Sequence, residues 1–283
     1  MSHIAVLGTG LLGAGMVENL LAKGHQVRVW NRTAAKTAPL VAKGATAAAS
    51  AAEAVRGADR VHLVLAEDDA VDAVIAAIRS ALAAGAWLID HSTNLPKRAA
   101  ARMTDLRGAG IKYVSAPVFM SPQNAREASG MMVVSAPQAE AAAIEAMLAP
   151  MTAKVLYVGE EPHLAAVFKL AGNSMYFALT AAMADVFAIG AGNGVPAAKM
   201  LELFDVWKVG GALPVIGKRL ADRGNHPASF ELTMARKDAR LMAESAGDHP
   251  TLVLPGVIAA MDAALARGHG DADFAVFAKG RQP

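Results

Sequence analysis

The run Gly8-Thr9-Gly10-Leu11-Leu12-Gly13 constrains this chain more than any other feature. It follows a short apolar stretch, Ile4–Gly8, and opens a helical pattern over Ala14–Lys23. In a strand-turn-helix setting the three glycines have separate roles. The first allows a tight turn, the second lets a pyrophosphate approach the backbone, and the third lets helix and strand pack closely. The helix N-terminus then offers free N–H groups and a partial positive charge to an anion. The expectation is a dinucleotide site built by Gly8, Thr9, Gly10, Leu11, Leu12 and Gly13.

The same alternation continues downstream. Apolar or β-branched runs at Gln26–Trp30, Arg60–Leu65, Trp87–Asp90, Ile111–Ser115, Met131–Ser135 and Lys154–Tyr157 are separated by longer alanine-rich helical stretches. That is the pattern of βαβ units on a parallel sheet, with edge strands free to run either way. After Glu160-Glu161-Pro162 the strand signal stops. A helical pattern runs from about His163 to Gly192, followed by others near Ala197–Phe204, Pro214–Arg223, Phe230–Ala246 and Leu254–Arg267. The fold expected is α/β, with a Rossmann dinucleotide-binding domain over 1–161. An all-helical domain follows over 162–283, including a long interdomain helix and serving substrate binding and dimerisation.

Composition narrows the partners. With 27 Lys and Arg against 25 Asp and Glu, the net charge of +2 is too small for a nucleic-acid binder. The chain has no cysteine, which suits a cytoplasmic protein and removes disulfide, thiolate-metal and thiol-nucleophile chemistry. Its start lacks a signal-peptide pattern, and Lys169 and Asp185 interrupt the longest apolar stretch, so no membrane partner is expected. The histidines lack metal-ligand spacing, so no metal is expected.

At the end of the second strand, where an acid would hold the ribose of NAD, the chain reads Asn31-Arg32-Thr33. A guanidinium suits a 2′-phosphate, so NADP is expected over NAD. The alternative is a solvated Arg32 beside a helix cap at Thr33. Further on, Lys169 is the only charged side chain between Leu164 and Ala184. An ammonium on such a helix must be partnered, held at a cleft or partly neutralised. Lys169 is therefore a candidate active-site group, with Asn173 one turn later to orient it or a substrate oxygen. The competing reading is a lysine that snorkels to solvent.

Several motifs together resemble the β-hydroxyacid dehydrogenases, the group of 3-hydroxyisobutyrate dehydrogenases and tartronate semialdehyde reductases, with 6-phosphogluconate dehydrogenases and imine reductases more distant. They are the glycine loop with Asn19–His25, Trp30-Asn31-Arg32-Thr33, Asp90-His91-Ser92-Thr93 with Pro96, and Ala116-Pro117-Val118. Lys169-Leu170 with Asn173, Lys237-Asp238 and the segment Gly268–Phe274 complete the set. The resemblance implies an oxidoreductase that moves hydride between NADP and a small β-hydroxy acid or the matching semialdehyde or keto acid. It makes Lys169 the general acid/base and Asn173 the substrate-orienting amide. It places Leu65-Ala66 over the cofactor, Thr93 near the nicotinamide ribose, and Lys237 toward the cofactor, where an ordinary surface lysine is the alternative. A homodimer or homotetramer is also expected.

The chain departs from the resemblance after Ala116-Pro117-Val118, where the family's serine and paired glycines give way to Phe119-Met120-Ser121-Pro122-Gln123-Asn124. Either Ser121, Gln123 and Asn124 replace the missing donors as substrate ligands, or Phe119 and Met120 make the pocket more apolar. An imine reductase on the same scaffold is a second reading, disfavoured because those proteins usually lack a lysine at the position of Lys169. A non-catalytic NADP-binding protein is a third.

Overall fold

The structure is a computed structural model that describes residues 2–221 and 227–281. The chain forms two compact units, Met1–Asn173 and Ser174–Pro283. The first unit therefore extends past the expected boundary at 161, and takes Lys169 and Asn173 with it.

In the first unit β1 (His3–Leu7), α1 (Leu11–Ala22), β2 (Gln26–Trp30), α2 (Ala38–Val41), β3 (Thr46–Ala47), α3 (Ala51–Val55) and β4 (Arg60–Leu63) form the first half of a doubly wound layer. α4 (Asp68–Ile78), β5 (Trp87–Asp90), α5 (Pro96–Gly108) and β6 (Lys112–Ser115) complete it. The sheet order is β3-β2-β1-β4-β5-β6, all parallel, with Leu7 beside both Trp30 and Leu63 and Asp90 beside Leu63. Successive strand residues feed opposite cores. Ile4, Val6, Val29, Ile89 and Val114 pack on one face, while Ala5, Leu7, Leu63, Leu88 and Tyr113 pack on the other. Both faces are covered, so the strands read as continuous apolar runs rather than alternating ones.

The chain then leaves the parallel sheet through β7 (Val118–Phe119), α6 (Pro122–Glu127), β8 (Met131–Val134), α7 (Gln138–Leu148) and β9 (Lys154–Tyr157). Here β7 runs antiparallel to β8 and β9 parallel to it, giving a separate three-stranded sheet. The 29-residue α8 (Leu164–Gly192) follows.

The second unit holds the rest of α8 with α9 (Ala197–Val206), α10 (Leu213–Ala221), α11 (Leu232–Ala246) and α12 (Leu254–Ala266). The last two residues of the helix expected over Pro214–Arg223 lie outside the described residues. Leu232, Ala235 and Ala239 of α11 pack with Leu254, Met261 and Ala264 of α12. Asp185, the second charge that interrupts the apolar stretch, accepts hydrogen bonds from the N–H groups of Leu252, Val253 and Leu254 at 2.5–3.0 Å. It thereby satisfies donors at the start of α12 that have no partner within that helix.

Candidate active site

The glycine loop lies at the carboxyl ends of β1 and β4, where strand order reverses and such sheets bind their ligands. Gly8 has φ +103°, and a Cβ there would lie 2.2 Å from the Val64 carbonyl oxygen. A Cβ on Gly13 would lie 2.0 Å from the Gly8 carbonyl oxygen. These two glycines are fixed by turn geometry and by the approach of helix to strand. Gly10 differs, because a Cβ there would meet nothing within 4 Å. It begins α1 without a side-chain cap, and the first turn of the helix carries no acidic residue. A small-residue loop facing open space, with free helix N–H groups behind it, fits a dinucleotide pyrophosphate.

Asn31 ties this loop to the next one. Its Oδ1 accepts the Thr9 N–H at 3.0 Å and its Nδ2 donates to the Thr33 carbonyl at 3.0 Å. Thr33 precedes a short turn at Ala34–Thr37, but its side chain makes no capping hydrogen bond. Arg32 is exposed, and no carboxylate among the described residues neutralises it. That leaves its guanidinium available to an external anion.

The Leu65-Ala66 and Ser92-Thr93 segments are tied together by hydrogen bonds. The Leu65 N–H donates to Ser92 Oγ at 3.0 Å, and the Leu95 N–H to Asp68 Oδ2 at 2.9 Å. Fully buried Asp90 accepts the Ser92 N–H on Oδ1, and Asn94 Nδ2 and the Tyr113 hydroxyl on Oδ2. Burial pushes its carboxyl pKa up, although these donors pull the other way. Arg102 pairs with Asp68 at 3.0 Å and approaches Asp90 at 3.6 Å, joining α4, α5 and β5 beneath the two segments. Thr93 and Ala66 remain exposed above them. The motif reading named Thr93, Leu65 and Ala66 but gave no role to Asp90, Ser92 or Asp68, each of which bonds to a partner 23 to 34 residues away.

Beside Asp90, the rings of His91 and His62 stack with centroids 5.1 Å apart. His91 Nδ1 lies 2.8 Å from the Ala116 carbonyl oxygen, which can only accept, so Nδ1 carries the hydrogen. His91 Nε2 then accepts from His62 Nδ1 at 2.8 Å, leaving His62 Nε2 buried without a partner. A second proton would either break the bond between the rings or leave an N–H on His62 buried without an acceptor. Burial holds His91 at about 4, down from the ordinary 6.5, and holds His62 well below 6.5. The unfolded chain takes up these protons first, so this stability is present above pH 6.5 and is lost as pH falls toward 4. His91 alone accounts for about 3 kcal/mol of that loss. Denaturant titrations at pH 7 and pH 4.5 check it. A protein equally stable at both, or an acid loss unchanged in the His62→Leu, His91→Gln double variant, contradicts the assignment.

Lys169 is 9% exposed. Its Nζ donates to Asn173 Oδ1 at 2.9 Å and lies 4.3 Å from the centroid of the Phe119 ring. No carboxylate pairs with it among the described residues, and burial pushes its pKa below the ordinary lysine value. Since an ammonium can only donate, the Asn173 oxygen faces it and the Nδ2 group is left as a donor. The ammonium is held buried beside an amide and does not snorkel to solvent.

The side chains of the loop after β7 are turned to other tasks. Ser121 and Asn124 form a reciprocal capping box at the start of α6, with the Asn124 N–H on Ser121 Oγ and the Ser121 N–H on Asn124 Oδ1. Asn124 Nδ2 also donates to Ser129 Oγ, and Gln123 bonds to Glu127. Lys237, on α11 in the second unit, is exposed and paired with Asp238 at 2.8 Å.

Residues 3–159 match the family model described as the NAD binding domain of 6-phosphogluconate dehydrogenase. The chain is 30% identical to a 3-hydroxyisobutyrate dehydrogenase of Pseudomonas aeruginosa, over 72% of this chain and 69% of that one. It is 28% identical to a 3-sulfolactaldehyde reductase of Escherichia coli, over 81% and 74% respectively. An imine reductase of Streptomyces aurantiacus shares the fold, with a TM-score of 0.88 and 25% identity over 99% of this chain and all of that one.

Proposed function

Because the chain belongs to the β-hydroxyacid dehydrogenase family and is an NAD(P)-dependent oxidoreductase, we propose that it interconverts a small hydroxy compound and its aldehyde or ketone, using NADP and Lys169. The observation that carries this reading is the buried Lys169 ammonium, held by Asn173 and paired with no acid among the described residues. The glycine loop and Arg32 would hold the dinucleotide, whose nicotinamide supplies or takes the hydride. Lys169 gives its proton to the carbonyl oxygen during reduction and takes the hydroxyl proton during oxidation. Lowering its pKa brings the proton closer in energy to the group it serves. Asn173 Nδ2 is free to hold the same substrate oxygen.

Assay of cofactor oxidation with semialdehydes, keto acids and cyclic imines tests the reading. Carbonyl turnover supports it, while turnover of the imine alone would favour imine reduction. Retention of Lys169 and Asn173 argues against both imine reduction and a protein that binds NADP without chemistry.

The NADP preference rests on Arg32. Replacing it with serine is expected to weaken NADP binding about 10- to 100-fold, the ~1.5–3 kcal/mol of a hydrogen bond to a charged group, with NAD binding unchanged. Equal losses for both cofactors in a binding titration would overturn the assignment.

The proposal includes a cytoplasmic homo-oligomer. Tyr176, Phe177, Val206, Trp207 and Val215 leave 52–87% of their surfaces exposed on α8, α9 and α10 or beside them. An apolar face of this kind marks a surface that associates. By length and composition α8 is also able to cross a membrane. A second copy of the chain is the better fit, because Lys169 and Asp185 on that helix are already engaged in polar work.

A further inference from the structure

From the contact between Phe119 and Lys169 we infer that Phe119 is the specificity-determining residue of this site, and that the substrate carries no carboxylate on the chain attached to the reacting carbon. This rests on the oxidoreductase reading above and narrows it to neutral carbonyl compounds and their alcohols.

Phe119 ends β7, and its ring is seated against the turn of α8 that carries Lys169 and Asn173. A Cβ on Gly172 would lie 2.3 Å from the tip of the ring. With no side chain at 172, the aromatic face covers the ammonium at 4.3 Å. The ring thus occupies space beside the proton-transfer group and offers no hydrogen bond there. Such a contact also holds the ammonium in place without neutralising it.

An anionic substrate group in this place would need donors to offset its lost hydration. Lys169 Nζ and Asn173 Nδ2 are taken by the reacting oxygen in the reading above, and the donors of the loop after β7 are spent. The Ser121 and Asn124 N–H groups are consumed by the capping box, and Pro122 has none. The Ser121 hydroxyl donates to Asn124 at 2.7 Å, and the Gln123 amide bonds to Glu127. Arg126, the nearest arginine in sequence, pairs with Glu18 at 3.2 Å. A carboxylate beside Phe119 would find an aromatic face and a loop whose donors are occupied. A methyl or methylene group would find a matching surface.

The test compares butanal with succinic semialdehyde, which have the same chain length and differ in the terminal carboxylate. It uses the full chain with NADPH, and the Phe119→Ser and Phe119→Leu variants. The wild type is expected to favour butanal in kcat/KM by on the order of tenfold or more. Phe119→Leu should keep that preference, and Phe119→Ser should lose or reverse it. Calorimetry of the NADP-loaded protein with propionate gives a readout apart from turnover, with binding expected in Phe119→Ser and none in the wild type. If Phe119→Ser does not fold, the wild-type ratio and the Phe119→Leu variant still decide. A wild type that prefers succinic semialdehyde, or that binds propionate, overturns the inference and leaves the oxidoreductase reading standing. Absence of turnover with either aldehyde and with every other carbonyl overturns both.

Discussion

Replacing Lys169 with alanine is expected to lower turnover 10²- to 10⁴-fold, the range for loss of a positioned proton donor, while leaving dinucleotide affinity unchanged. The reason is a division of labour within the first unit. The glycine loop and the Leu65 and Ser92 segments sit at the carboxyl ends of the parallel strands, whereas Lys169 comes from α8 and touches Asn173 and Phe119. Lys169→Arg separates charge from proton transfer, because a guanidinium stays charged but does not give up its proton. It should be nearly as inactive as the alanine variant. In the wild type, carbonyl reduction needs the ammonium and falls as pH rises through the Lys169 pKa, which lies below the ordinary lysine value. Alcohol oxidation needs the free amine and rises through the same pKa. Steady-state rates in both directions check this. Undiminished turnover in the alanine variant would contradict the role of Lys169.

The second large effect separates two glycines three residues apart. Gly13→Ala sets a Cβ 2.0 Å from the backbone oxygen of Gly8, and neither atom belongs to a movable side chain. A loss of 1–3 kcal/mol or more is expected, roughly the cost of overpacking, and dinucleotide binding goes with it. Gly10→Ala meets nothing in the protein. The free variant should lose no more than the ~1 kcal/mol of a poorer N-cap, yet bind the dinucleotide far more weakly because the added methyl occupies the approach to the helix N-terminus. Thermal melting of the free proteins and cofactor titration together distinguish the two. Wild-type binding by Gly10→Ala would remove that residue from the phosphate site.

Much of this was legible from sequence because the signals are local. The glycine spacing, the apolar strand runs and the lone charge in Leu164–Ala184 each lie within one element. The two-residue strands β3 and β7 are too short to show a period, and although the runs of β8 and β9 were legible, their separation from the parallel sheet was not. Ser121-Pro122-Gln123-Asn124 contained a helix-start signal, a serine three residues before an amide with proline between them. Reading it as a set of substrate ligands overlooked that the same atoms can be spent on the helix. The Asp90–Tyr113–Arg102 network and the contact of Phe119 with Lys169 join distant residues, and only the folded chain brings them together.

The most direct test of the account follows the hydride and the proton in one reaction. NADPH carrying deuterium at the reactive nicotinamide carbon is mixed with the protein and a carbonyl substrate, and the product alcohol is analysed across a range of pH. The account predicts deuterium on the carbinol carbon, and a rate that falls at high pH in the wild type and shows no such limb in the slow Lys169→Ala variant. Deuterium retained on the cofactor with every carbonyl, or a pH profile identical in the two proteins, would contradict it.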